Sequence, residues 1–200
     1  MGILYTCRVD YKQILGVVAV GIALVSYIPY FRDILANKTK PHAFSGLVWT
    51  ILTVIGFAAQ ISDNAGPGAW VTGVTAVLAF IIFVFALIKG RKNIVLIDWA
   101  VLAGALLAIL MWQVTKEPVT AVILVTISDA LGFVPTFRKS YMKPWGETLS
   151  MYILSGTKHV VAIFALENFS VVTSLYSIYL IGANASFVSM LLWRRRQVKL

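Results

Sequence analysis

Two charged residues lie inside long apolar stretches of this sequence. Asp129 falls within residues 118–137, and Lys158 falls within residues 147–166. A charge at the centre of a bilayer costs roughly 2.5 to 3.5 kcal/mol even on the most lenient scale, so such residues normally face the protein interior and serve a function. Helical rise counted from opposite ends of the two stretches places both residues at a depth of about 16 Å, where they could reach each other.

Three hypotheses follow for this acid and base. They could form a structural ion pair between two helices, because each charge needs the other in a low dielectric. They could instead form a working site, in which Lys158 attracts a carboxylate or another anionic group and Asp129 takes up or releases a proton as a gate moves. In the third hypothesis, one of the two faces lipid or extends toward the interface. The sequence leaves the choice open.

Other polar and aromatic residues are weaker candidates for a binding site. Trp49 and Tyr152 hold corresponding positions in two apolar stretches and could cap a pocket, although interfacial aromatic belts predict the same residues. Asn184 places an amide within residues 169–193. His159 follows Lys158 but points about 100° away from it on a helix. Further candidates are Gln60, Asp98, Tyr176 and Tyr179.

The composition indicates a membrane protein. The 200 residues are 60% hydrophobic and 12% charged, with a mean hydropathy of +0.86, whereas soluble domains are about a quarter charged. Each apolar run is close to the roughly 20 residues that cross a bilayer. The sequence therefore predicts an all-α membrane protein with seven transmembrane helices. The runs are 13–31, 43–61, 68–88, 94–113, 118–137, 147–166 and 169–193.

The distribution of basic residues predicts the orientation. Most of the 17 Lys and Arg residues fall on one side if the connection after the first helix is cytoplasmic. This bias places the N-terminus outside and the C-terminus inside. The net charge of +9 is not interpreted as a nucleic-acid site, because the basic residues are scattered over four short segments. These residues are Arg32, Lys38, Lys40, Lys89, Arg91, Lys92, Arg138, Lys139, Lys143, Arg194, Arg195, Arg196 and Lys199.

An internal repeat organises the chain. Residues 27–32 (YIPYFR) return as residues 133–138 (FVPTFR), and each copy continues through a basic loop to a Lys-Pro pair. The repeat predicts a first triple-helix bundle at 13–88, a linker helix at 94–113 and a second bundle at 118–193. Because one extra helix separates two triplets, both triplets have the same orientation and form parallel repeats. The positions aligned with Asp129 and Lys158 are Ala23 and Ile55, so a central pocket would be asymmetric.

The repeat contains a proline in each copy. Pro29 and Pro135 are each expected about two residues inside the inner end of a helix. An interior proline removes a backbone hydrogen bond and weakens the turn around it. The two prolines could therefore form a matched hinge or gate, or they could simply end their helices.

These features resemble the SWEET and PQ-loop (MtN3-like) superfamily of membrane transporters. The resemblance lies in the three-plus-one-plus-three layout and in the prolines of helices 1 and 5, each followed by a basic loop. It implies a pocket between two bundles and alternating access by rocking about the prolines. Asn184 is similar to the helix 7 asparagine by which sugar-carrying members hold their substrate. The glutamine of the PQ motif is replaced by Tyr30 and Thr136. The chain looks most like a bacterial seven-helix member of the cytoplasmic membrane.

The sequence thus predicts a transporter of a small polar solute, with or without proton coupling. The alternative is a receptor resembling the KDEL receptor, which would bind a peptide or small anionic ligand without transport. The chain has no metal-spaced His or Cys cluster, no phosphate loop and no nucleophile with a base, so neither an enzyme nor a cofactor or metal is predicted. The expected partners are the lipid bilayer and the solute, with homo-oligomers left open. Cys7 is the single cysteine, and no cleavable secretory signal is expected.

Overall fold

The computed structural model describes residues 10–37, 41–89 and 96–198. Seven α-helices account for most of these residues. Of the residues considered above, Cys7, Lys38, Lys40, Arg91, Lys92 and Lys199 lie outside the described ranges. The helices are α1 (Tyr11–Leu35), α2 (Ala43–Ser62), α3 (Trp70–Lys89), α4 (Leu96–Thr115), α5 (Pro118–Met142), α6 (Leu149–Phe164) and α7 (Val171–Gln197), with 3-10 turns at Gly66–Ala69 and Pro144–Gly146.

Six of the seven helices are long and apolar enough to cross a bilayer. They are α1, α2, α3 with its preceding 3-10 turn, α4, α5 and α7. Large apolar side chains are exposed along every helix, as expected where lipid rather than water covers the surface. The described residues form helices joined by turns, and six of these helices could cross a membrane. This part of the prediction is confirmed. The sixth helix is shorter than expected, since its 16 residues rise only about 24 Å.

Local chemistry explains several of the helix ends. The carboxylate of Asp10 accepts a hydrogen bond from the Lys12 N–H and caps α1. Ser170 and Thr173 form a capping box at the start of α7, which satisfies two backbone donors reciprocally. Pro118 lies in the first turn of α5, where its missing N–H costs nothing. The predicted helix starts are therefore close to the observed ones.

The two interior prolines lie deeper within their helices than the sequence suggested. Helix α1 continues past Pro29 to Leu35, and α5 continues past Pro135 to Met142. The prediction that each proline lies about two residues from a helix end is wrong. Packing stabilises the additional turn in each case, because Ile34 and Ser140 beyond the prolines are buried and tertiary contacts supply most helix stability in proteins.

The helix neighbours follow the same pattern in both parts of the chain. Helix α3 packs against both α1 and α2, and α7 packs against both α5 and α6. Between the two parts, α1 packs against α6 and α2 packs against α5. Helix α4 packs mainly against α5 and also contacts α2. Among the described residues, α5 and α6 make no extensive contact with each other.

Candidate functional site

A cavity of about 780 Å³ lies among the helices. All five residues predicted to bind substrate or to couple transport line it, together with Pro29. Pro135 instead lines a smaller neighbouring cavity of about 250 Å³, which shares Trp49 and His42 with the larger one. The five predicted residues are Trp49, Asp129, Tyr152, Lys158 and Asn184.

Lys158 is buried, with only 1% of its surface exposed. Its Nζ donates a hydrogen bond of 3.0 Å to Oγ1 of Thr75 in α3. It also lies 5.2 Å from the ring centroid of Tyr27 in α1, a distance at which a cation is attracted to the face of an aromatic ring. An ammonium group has three donors, so this lysine retains hydrogen-bonding capacity toward the cavity.

Asp129 is also buried, with 8% of its surface exposed. Its Oδ1 accepts a hydrogen bond of 3.4 Å from the hydroxyl of Tyr176 in α7. That distance is long for a hydroxyl donor. The hydroxyl of Tyr179, one helical turn further along α7, lies near the carboxylate. Both tyrosine hydroxyls are therefore directed at Asp129.

The acid and the base are not paired with each other. Within the described ranges, the ion pairs are Arg32–Asp33 and Lys139–Glu147. The direct ion pair, one of the hypotheses for Asp129 and Lys158, is therefore not formed, and α7 packs against both α5 and α6. Tyr176 of α7 bonds to Asp129, whereas Lys158 faces α3 and α1. Both charges nevertheless line one cavity.

Two polar atoms in the described part of the cavity wall have no protein partner. They are Oγ1 of Thr72 and Nδ1 of His159, which are buried without a hydrogen bond, and both side chains line the cavity. Leaving such a group unsatisfied costs about 1 to 3 kcal/mol, so these atoms mark positions where a ligand or water would be stabilised. His159 joins Lys158 in the lining despite their different helical directions, because the cavity extends around this part of α6.

Asn184, Trp49 and Tyr152 occupy other parts of the wall. The Asn184 side-chain amide donates to the Leu180 carbonyl of its own helix at 2.7 Å. The hydroxyl of Tyr152 donates to Oε2 of Glu147 at 3.1 Å, and its ring centroid lies 4.2 Å from that of Phe187. Trp49 is 39% exposed. The two predicted capping aromatics thus line the same cavity from α2 and α6.

One end of the cavity reaches the surface. The lining includes residues at the connections between α1 and α2 and between α5 and α6. We call this side the Glu147 end. Its polar wall includes the Lys139–Glu147 ion pair, whose Nζ to Oε1 distance is 2.9 Å. The residues of this mouth are Asp33, Asn37, His42, Lys139, Glu147 and Thr148.

The opposite side is fastened by hydrogen bonds between the segments 60–66 and 167–173. We call this side the Asp63 end. The Ser170 hydroxyl donates to the Asp63 carboxylate, and the Asn168 side chain donates to the Asp63 carbonyl at 3.0 Å. The Glu167 N–H donates to the Ala65 carbonyl at 3.1 Å. These contacts, together with that between Gln60 and the Thr173 carbonyl at 2.9 Å, close the Asp63 end.

Glycine allows the two segments at the Asp63 end to approach closely. Gly66 has a φ of +61°, and a Cβ at this position would lie 2.4 Å from the Glu167 side chain. A Cβ on Gly68 would lie 2.5 Å from Leu166 and 2.8 Å from the Ala162 carbonyl. The positive φ of Gly66 strains any larger residue there, and a larger residue at Gly68 would have to displace the α6 backbone at Ala162.

Sequence reasoning missed Tyr27, Thr72 and Thr75. Thr72 and Thr75 are three residues apart and share one face of α3, the most apolar of the candidate spans. Two threonines at this spacing in an apolar helix were the sequence signal that could have indicated a polar site on α3. The contact between Tyr27 and Lys158 depends on α1 packing against α6, and neighbours so distant in sequence are not specified by helix periodicity.

Comparison of the chain with protein-family models, with curated proteins and with solved structures gives no match. The function of the site is therefore inferred from its geometry and chemistry.

Proposed function

We propose that this protein is a membrane transporter of a small polar solute that works by alternating access. The observation that carries the proposal is the cavity around Asp129 and Lys158, which is open at the Glu147 end and closed by hydrogen bonds at the Asp63 end. A cavity that holds buried charges and opens on one side of the membrane has the form of one state of such a carrier. The opposite state would break the contacts of the Asp63 end and close the Glu147 end.

The moving units of this transporter would be α1–α3 and α5–α7, with α4 as the linker. Repeated packing supports this division. Phe31 contacts Phe85 with a centroid distance of 6.3 Å, and the equivalent Phe137 contacts Phe187 at 4.9 Å. Helix α3 packs against α1 and α2, and α7 packs in the same way against α5 and α6. Two similar units that meet around one cavity could rock against each other.

The proposed orientation places the Glu147 end in the cytoplasm. The described basic residues Lys89, Lys139, Arg194 and Arg195 lie at or near helix ends on this side, as the positive-inside rule requires. The N-terminus would then be outside, and the state described here would be inward-open. Pro29 in α1 and Pro135 in α5 would provide flexible positions for the change, since each lacks one backbone hydrogen bond.

Transport can be tested with the purified full chain in proteoliposomes. We expect counterflow of at least one labelled solute from a panel of sugars, amino acids, organic acids and vitamins. Lys158→Met should abolish it, whereas Lys116→Met, in the exposed turn between α4 and α5, should not. Folded protein that moves no solute in the panel would contradict the proposal. One-sided binding without counterflow would instead support the receptor alternative.

A further inference from the structure

We infer that the region around Lys158 is a subsite for the carboxylate group of the ligand. The inference rests on the proposed function only in treating this ligand as transported cargo. Lys158 supplies a buried amino group that has no acidic partner within 4 Å among the described residues. An unpaired buried ammonium is costly and tends to lose its proton, so an anionic ligand group would hold Lys158 in its charged form and complete the site.

The surrounding atoms suit a carboxylate. Thr75 holds the Lys158 ammonium through its hydroxyl, and its own hydroxyl hydrogen is directed to the Val71 carbonyl at 2.7 Å. Thr72 lies one turn away on α3 and offers an unbonded hydroxyl, while His159 offers an unbonded ring nitrogen. An ammonium and a hydroxyl donor can together serve the two oxygens of a carboxylate.

The charge of the cavity favours a monoanion over a phosphate. Its described lining contains two lysines and no arginine, together with the carboxylates of Asp33, Asp129 and Glu147, which would repel a multiply charged anion more strongly than a monoanion. One of these, Lys139, is paired with Glu147 at the mouth, which leaves Lys158 as the buried lysine. Phosphate carries more charge and is typically recognised by arginine forks or by clusters of backbone N–H groups. The ring of Tyr27 beside Lys158 adds an apolar face next to the subsite.

The assignment separates the roles of the two buried charges. Asp129 lies on α5 and bonds to α7, whereas Lys158 contacts α1 and α3. A carboxylate at Lys158 therefore need not compete with Asp129 for the same ammonium group. Ligand binding at the subsite would connect α6 of the second half with α3 of the first half.

The test compares carboxylates with their uncharged amides. Thermal unfolding of the purified full chain is measured with propionate, lactate and benzoate, and with the amide of each, at constant ionic strength in chloride. We expect at least one carboxylate to raise the midpoint of unfolding in a concentration-dependent manner, and we expect its amide not to. Inorganic phosphate serves as the competing anion.

Three variants complete the test. Lys158→Met should weaken binding of that carboxylate by at least roughly tenfold, and Thr72→Val should weaken it measurably with the fold intact. Lys116→Met is the matched control and should bind as the wild type does. The assignment is overturned if no carboxylate shifts the midpoint, if the amides act equally, if phosphate alone acts, or if Lys158→Met binds normally.

This test can fail independently of the transport proposal. Counterflow of a neutral solute that Lys158→Met leaves unchanged would remove the carboxylate subsite and keep the transporter. Carboxylate binding that requires Lys158, without counterflow in vesicles, would keep the subsite and remove the transporter.

Discussion

Lys158 in α6 donates a hydrogen bond to Thr75 in α3, and this contact joins the two proposed halves of the molecule through the wall of the cavity. The Thr75 hydroxyl is uncharged, so it orients the Lys158 amino group without neutralising a charge on it. Other polar contacts between the halves lie at the Asp63 end. A lysine held in this way is available to a ligand while the cavity remains open at the Glu147 end.

We predict that Lys158→Met raises stability and abolishes transport. Methionine has similar length, and it removes a buried amine that has no acidic partner among the described residues and is therefore costly to bury in charged form. Thermal unfolding without ligand and counterflow in vesicles measure the two effects.

Thr75→Val provides the matched comparison for the lysine. This variant keeps the charge but removes its hydroxyl acceptor, so we expect unfolding at a lower temperature than in the wild type. Strong destabilisation by Lys158→Met would indicate instead that the lysine has a structural role.

We predict that Asp129→Asn abolishes proton-driven uptake but leaves solute exchange intact. Asparagine has the same shape and can still accept a hydrogen bond from Tyr176, but it cannot carry the proton. Accumulation driven by a pH gradient should be lost, whereas counterflow at equal pH should continue. Uptake is measured in vesicles with and without the gradient.

Asp10→Asn is the control for this prediction, because Asp10 is an exposed cap at the start of α1. The proton role of Asp129 is contradicted if gradient-driven accumulation survives its replacement. It is also contradicted if exchange and accumulation fall together in a protein that remains folded.

The sequence predicted the helices better than their arrangement. Asp129 and Lys158 were recognised because a charge within an apolar run is costly wherever the helix lies. Whether they pair could not be predicted, because the hydropathy pattern does not specify that α7 packs against both α5 and α6. His159 was underrated for a related reason, since a wide cavity can include side chains that point in different directions from one helix.

Closure of the Asp63 end predicts a reversible cross-link. In a Cys7→Ser background, Asp63→Cys with Ser170→Cys places two thiols where the native side chains form a hydrogen bond. Oxidation should hold the Asp63 end closed and stop counterflow, and reduction should restore it. Gel mobility after protease cleavage in the loop between α4 and α5 reports the cross-link.

The single variants Asp63→Cys and Ser170→Cys in the same background, treated with the same oxidant, are the controls. Neither can form the intramolecular disulfide, so both should keep counterflow. Continued transport by the fully oxidised Asp63 and Ser170 pair would show that the Asp63 end does not need to open.

Replacing the interior prolines should slow transport and raise the stability of the protein. Pro29→Ala and Pro135→Ala each restore a backbone donor inside a helix that continues beyond the proline, so the helix should become stiffer and more stable. We expect slower counterflow and a higher unfolding midpoint, with the larger loss of rate in the double variant. Pro118→Ala is the control, because Pro118 lies in the first turn of α5, where the missing N–H costs nothing. Faster or unchanged counterflow in the stabilised double variant would assign the prolines a role in helix geometry alone.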